Sequence, residues 1–123
     1  MTASRQRLGR RAENMVARRL ESAGWELVER NARTRTGEID LIALDGATLV
    51  FVEVKAARAG SPTGPVRPAH QVGPRKRARI RLLAREWLGA GASPSGVAGY
   101  RFDVVGVLVG PDGVEIDHIR NAF

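Results

Sequence analysis

One stretch leaves this chain less freedom than any other: Gly37-Glu-Ile-Asp-Leu-Ile-Ala-Leu, then Asp45-Gly46, then Ala47-Thr-Leu-Val-Phe-Val-Glu-Val-Lys55. Two runs rich in β-branched and aromatic residues, joined by Asp-Gly, predict a β-hairpin, because the turn needs a positive φ that glycine adopts freely. With Asp45-Gly46 as a two-residue turn, Leu44 pairs with Ala47, which sets Asp40 opposite Phe51 and Glu38 opposite Glu53. Side chains alternate along a strand, so Asp40, Glu53 and Lys55 share one face, with Asp40 and Glu53 on a diagonal about 7 to 8 Å apart.

The rest of the chain divides around this hairpin. From Ser4 to Ala23, Leu8, Ala12, Met15, Val16 and Leu20 recur at helical spacing with arginines elsewhere around the wheel, and Gly24 follows as a left-handed cap. Trp25 to Arg30 reads as a short strand. The stretch from Ala59 to Gly73 holds Gly60, Pro62, Gly64, Pro65, Pro68 and Gly73 and reads as a mobile loop. Pro74 suits a first helical position, and Ile80, Leu83, Ala84 and Trp87 continue a second, very basic helix. Beyond a linker from Gly89 to Gly99, Tyr100 to Val109 and Val114 to Ile119 form two strands around the turn sequence Pro111-Asp112-Gly113. Helix, strand, hairpin, helix, strands is the order of an α/β protein with a mixed central sheet flanked by helices. At 123 residues and 43% hydrophobic, residues 1–123 suit a single domain.

The absence of cysteine excludes disulfides and thiolate metal sites. No secretory leader is visible at the N-terminus and the longest apolar run, Thr48 to Val54, is strand-sized, so a cytoplasmic protein without a membrane span is expected. A formal net charge of +7 and a pI near 11.3 point to a polyanion, with nucleic acid the first candidate. Ribosomal association is the plainer source of such a charge.

The hairpin carries the chemistry. Carboxylates placed as Asp40 and Glu53 can meet at one Mg²⁺ or Mn²⁺, at roughly 2.1 Å from each oxygen, with positions left for water and a phosphate oxygen. Ionised groups among Leu41, Val50, Val52 and Val54 are costly unless paired or metal-bound. A partly exposed cross-strand ion-pair cluster is the purely structural account, and Glu38, on the same face, is a secondary candidate. Of the 20 basic residues all but Lys55 and Lys76 are arginine, so lysine at 55 is a departure from this chain's habit. Its compact ammonium can hold, or help deprotonate, a water beside a phosphate. Lys76 lies near the apolar face of the second helix, where snorkelling over the core edge and phosphate contact are the two readings. On the first helix Glu13 falls about 20° from Leu20 on a wheel of about 100° per residue, at the border of the apolar face. It can turn inward toward the carboxylates, or pair outward with an arginine one turn away. Asp103 could add a carboxylate to the site or pair with Arg101.

Ala12-Glu13, Arg30-Asn31, Gly37-Glu-Ile-Asp-Leu-Ile-Ala, Phe51-Val-Glu-Val-Lys, Arg101-Phe-Asp-Val-Val and His118-Ile-Arg-Asn-Ala-Phe together resemble the YraN-like bacterial proteins, over nearly the whole chain. That family is placed in the PD-(D/E)XK nuclease superfamily and related in fold to Holliday-junction resolvases. The resemblance implies a restriction-endonuclease-like core in which Asp40, Glu53 and the Val54 carbonyl bind Mg²⁺ or Mn²⁺, Lys55 assists the attacking water and Glu13 completes the site. Ala12, where glycine commonly precedes the helix glutamate, an extra alanine before Arg58 and the proline-rich 60–73 loop depart from the family pattern; the first two leave the chemistry untouched, and the loop is the departure that bears on how substrate is contacted.

The expected function is metal-dependent hydrolysis of DNA, on branched or flap structures by analogy, with Arg10, Arg11, Arg58, Arg75, Lys76 and Arg79 as candidate backbone contacts. Junction-cutting nucleases of this class usually dimerise to reach two strands, so a homodimer is a candidate assembly. The alternatives are a nucleic-acid-binding module that keeps the nuclease fold without turnover, and a basic RNA- or ribosome-associated protein whose acidic cluster is structural.

Overall fold

Leu8, Ala12, Val16 and Leu20 are all buried, a stripe at three- and four-residue intervals that draws helix α1, Ala3–Ser22, onto the sheet. In this computed structural model, which describes residues 3–60, 67–70 and 72–123, five strands follow in sheet order β1-β2-β3-β4-β5. They are β1 (Glu26–Arg33), β2 (Glu38–Asp45), β3 (Thr48–Arg58), β4 (Gly99–Gly110) and β5 (Gly113–Ile119), with helix α2 (Pro74–Gly89) between β3 and β4 and a 3₁₀ turn at Pro68–His70. Only β3 and β4 run parallel; the other three ladders are antiparallel. A parallel neighbour cannot be reached by a tight turn, and α2 lies in the connection that makes the crossover. The expected α/β architecture with a mixed, helix-flanked sheet is what forms, and it is compatible with a nuclease-like α/β core.

Alternation along the central strand sends the two helices to opposite faces. Val50 and Val52 join Leu41, Ala43, Val105 and Val107 beneath Ala12, Val16, Ala17 and Leu20 of α1. Leu49 and Phe51 join Ile42 beneath Leu83, Ala84 and Trp87 of α2. Buried on both faces, β3 therefore reads as a nearly continuous apolar run, and a charged residue within it stands out.

Two sequence expectations change here. Gly46, at φ +63, is the first loop residue, and Asp45 already pairs with Thr48, so the turn is Gly46-Ala47 and not Asp45-Gly46. Glycine with positive φ at the first of two loop positions is the requirement of a Gly-X turn. The whole hairpin is thus displaced by two residues: Ile42, not Asp40, lies opposite Phe51. Because the displacement is even, the side chains of the paired stretch from Leu41 to Leu44 keep their faces. Glu38 is not opposite Glu53 either; it is exposed and pairs with Arg33 of β1 at 3.5 Å, outside the acidic site. Of the expected 59–73 loop, residues 61–66 and 71 lie outside the described residues, and 68–70 form the 3₁₀ turn. That turn abuts β4 so closely that a Cβ on Gly106 would stand 2.6 Å from the Ala69 backbone nitrogen. Among the described residues no helix is long and apolar enough to cross a membrane.

Candidate functional site

The β2–β3 ladder ends at Leu41–Val52; one further step would set Asp40 level with Glu53. The two-residue period of β2 breaks at the same place, since Ile39 and Ile42 both pack under α2 while Leu41 and Ala43 pack under α1. Asn31, which falls level with Asp40 between the pairs Arg30–Leu41 and Ala32–Ile39, has φ +50, a left-handed conformation that asparagine tolerates better than most residues. The strands so part beside Asp40, and its carboxylate takes the backbone hydrogen bond that the ladder leaves open: the Val54 N–H donates to Asp40 Oδ2 at 2.8 Å. The N–H and C=O of one strand residue point the same way, so the Val54 carbonyl faces this gap as well.

Glu53 is buried, 8% exposed, and is close enough for its charge to bear on Asp40. Burial, then the neighbouring Glu53 charge and, more weakly, Glu13 push the Asp40 carboxyl up to about 8, against the pull of the Val54 amide. A half-buried carboxyl that keeps its proton beside a second, buried acid is the kind of perturbed pair that clusters at functional sites. Glu13 comes to the pair from α1 and is held there by Asn31, whose Nδ2 donates to Glu13 Oε1 at 2.9 Å; beside it, Arg30 donates to Asn14. The inward orientation of Glu13 is therefore the one adopted. Lys55, two residues beyond Glu53, is half-buried and pairs along the ladder with Gly106.

From the opposite face α2 delivers Lys76, whose Nζ lies 3.2 Å from Glu53 Oε2. Neither snorkelling over the core edge nor an outward phosphate contact describes it: Lys76 belongs to the acidic site. Its helix is fastened to the β1–β2 turn one turn further on, where Arg79 donates to the Thr36 carbonyl at 2.8 Å and Glu86 accepts the Thr36 hydroxyl at 2.8 Å. Arg10, Arg11, Arg58 and Arg75 are exposed, as is Arg79. Sequence reasoning missed the Lys76–Glu53 pair and the role of Asn31; an Arg-Asn pair closing a strand level with Asp40 was the available sign of the latter.

As a metal centre the site is partial. Among the described residues no three His, Cys, Asp or Glu side chains form a ready-made cage, while two adjacent carboxylates and a strand carbonyl fit the donor set of a hard divalent cation that keeps waters and takes substrate oxygens. A cation here would replace the Asp40 proton.

Asp103 is a separate centre and not a member of this one. Fully buried, it accepts from Arg101 Nε at 2.9 Å, His118 Nε2 at 2.8 Å and the Asn121 amide at 3.0 Å. Burial alone would raise its pKa, but the bonds from His118, Arg101 and Asn121, with the Arg101 charge, outweigh it and hold the carboxyl below its usual range. Arg101 also reaches Asp45 at 3.1 Å, tying β4 to the hairpin turn.

Fold and site define a small α/β protein with a carboxyl pair, one member buried and one half-buried, set where two strands part, between two arginine-rich helices. The chain belongs to the family described as Uncharacterised protein family UPF0102, which matches residues 12–107 and so takes in Glu13, Asp40, Glu53, Lys55 and Lys76. Similar UPF0102 proteins include that of Rhodococcus jostii (strain RHA1), 48% identical over 118 residues, covering 94% of this chain and 95% of the relative. That of Streptomyces griseus is 49% identical over 115 residues, 92% of each chain. Anaeromyxobacter dehalogenans has one 41% identical over 120 residues, 97% of this chain and 85% of its own.

Proposed function

We propose that this protein is a metal-dependent endonuclease of the PD-(D/E)XK class, hydrolysing phosphodiester bonds of DNA, with branched or flap structures as the substrate class. The observation that carries the reading is the Asp40–Glu53 pair: two neighbouring carboxyls beside the Val54 backbone, one of them accepting the Val54 N–H and pushed up to about 8 by burial and its neighbour. A protein with a net charge of +7 has cations to spare for its acids, yet among the described residues its ion pairs reach Glu53, through Lys76, and not Asp40. That arrangement suits a site made for a divalent ion.

Asp40, Glu53 and the Val54 carbonyl would hold Mg²⁺ or Mn²⁺. Bound there, the ion supplies Lewis-acid polarisation of a phosphoryl oxygen and a water of lowered pKa. Glu13, steadied by Asn31, borders the Asp40 side and accepts a hydrogen bond from a water in the gap. Lys55 places an ammonium beside the attacked phosphate, and exposed Arg10, Arg11, Arg58, Arg75 and Arg79 neutralise flanking phosphates. The test is cleavage of labelled duplex, single-stranded, flap and four-way-junction DNA with Mg²⁺ or Mn²⁺, by wild type and Glu53→Ala. Loss of cutting in a folded variant is expected; equal cutting by a well-purified Glu53→Ala protein would sink the assignment.

One observation favours a second reading. The Lys76 ammonium on Glu53 already supplies a positive charge, as in a nucleic-acid-binding module that keeps the fold without turnover. That reading predicts metal-indifferent binding and no cleavage of any substrate.

A further inference from the structure

We infer that Lys76 is a movable counter-ion: it occupies Glu53 while the acidic pair is metal-free, and is handed to a DNA phosphate when a divalent cation takes its place. The inference rests on the nuclease reading above and adds a coupling to it, namely that nucleic acid and metal each ease the binding of the other.

The choice of residue is the first support. This chain uses arginine for 18 of its 20 basic positions, and Lys76 stands between Arg75 and Arg77 in the first turn of α2. Of the two lysines one stands two residues from Glu53 along its own strand, and the other, Lys76, lies at 3.2 Å from it across the site. Arginine at position 76 would clamp a carboxylate through a planar two-pronged contact, whereas an ammonium on a four-carbon stem holds a point contact and leaves it easily.

Asymmetry of burial is the second. The Glu53 side chain is 11% exposed and that of Lys76 44%, so the acid is fixed and the base is free to swing outward. The outward direction leads to Arg75 and Arg79, exposed on the same helix, where a phosphate would already be drawn. The third support is mechanical. Helix α2 is secured by buried Ile80, Leu83, Ala84 and Trp87, by the Thr36 contacts of Arg79 and Glu86, and by the Trp87 Nε1 bond to Glu29 at 3.0 Å. Release of Lys76 therefore does not loosen the helix that carries it.

Mn²⁺ affinity, read by calorimetry or by loss of the free-ion EPR signal, tests this without recourse to cleavage. In the absence of DNA, Lys76→Met should bind Mn²⁺ more tightly than wild type, by about three- to tenfold, the worth of one half-exposed ion pair. Lys76→Arg should show no such gain. Adding a hydrolysis-resistant DNA duplex should tighten Mn²⁺ binding in wild type by a similar factor and have less effect in Lys76→Met. Should Lys76→Met fold poorly by circular dichroism, Lys76→Gln takes its place. Equal Mn²⁺ affinity in wild type and the neutral variants, or an equal effect of duplex on both, overturns the exchange while leaving the nuclease reading intact. No Mn²⁺ binding by any of the proteins overturns both.

Discussion

Asp40→Asn should make the metal-free protein more stable, and increasingly so as pH rises. Asparagine is nearly isosteric and neutral: its carbonyl can accept the Val54 N–H as the acid does, and its amide can face Glu53. In wild type the folded protein keeps the Asp40 proton to about pH 8 while the unfolded chain releases it near 3.8. Between those values the folded state binds more protons than the unfolded one. The stability this proton confers is complete below the unfolded value and is lost as pH climbs to the folded one. One proton corresponds to about 1.4 kcal/mol per pH unit, so the gap between Asp40→Asn and wild type should be on the order of 4 kcal/mol at pH 7. Urea unfolding in EDTA, followed through the fluorescence of buried Trp25 and Trp87, measures it across pH 5 to 7.5. The slope is the sensitive quantity, because it does not depend on where in the window the pKa lies. Saturating Mg²⁺ should flatten the wild-type slope, since the ion takes the proton's place, and leave the variant's unchanged. Parallel pH profiles for wild type and variant in EDTA would refute the retained Asp40 proton and, with it, the argument that a cation takes its place.

Asp103→Ala strips the partner from Arg101 and His118 inside the sheet and should cost about 3 kcal/mol by urea unfolding, while Mn²⁺ affinity of the folded protein stays within twofold of wild type. Because the folded Asp103 carboxyl sits below 3.8, the stability it lends is complete above about pH 4 and lost as pH falls further, so acid unfolding of Asp103→Ala should show a shallower pH dependence. Gly106→Ala places a methyl 2.6 Å from the Ala69 nitrogen, which forces the 3₁₀ turn off β4 and should cost about 1 to 3 kcal/mol in the same assay. Arg10→Ala and Arg79→Ala should separate binding from stability. The first should lower the salt slope of duplex affinity by about one with unchanged unfolding. The second, by releasing the Thr36 carbonyl, should lower the unfolding midpoint as well.

Much of this site was legible because strand periodicity is robust. Asp40 and Glu53 could be brought together from the hairpin alone, and an error of two residues in the turn left them neighbours, although the alternation of β2 breaks beside Asp40. The turn itself was ambiguous because Gly46 can serve as the second residue of Asp-Gly or the first of Gly-Ala, and only the fitted ladder decides. Glu13 was visible as a charge at the border of an apolar stripe. The Arg101–Asp103 pair was also expected, being two residues apart on one strand. His118 and the Asn121 amide, 15 and 18 residues beyond Asp103, were not, since their approach depends on the β4–β5 register. Lys76 was placed on the correct edge of its helix but not against Glu53. Periodicity gives the buried side of α2; how far the helix slides along the sheet is set by the Thr36, Glu29 and core contacts together.

The hairpin that parts beside Asp40 has a kinetic meaning. Asp40 and Val54 meet across 14 residues, whereas the parallel ladder must bring Thr48 to Gly99 across the whole α2 crossover. Closing the short loop is entropically cheap and closing the long one is not, so the acidic pair is assembled before Lys76 arrives to offset its charge. During refolding two carboxyls thus approach each other unaided, and the cost of that approach falls on the folding rate more than on the unfolding rate. In EDTA, stopped-flow refolding should slow as pH rises from 5 to 7.5 while unfolding changes little, and a proton or a divalent ion should act as a folding catalyst for the strand pair it later occupies.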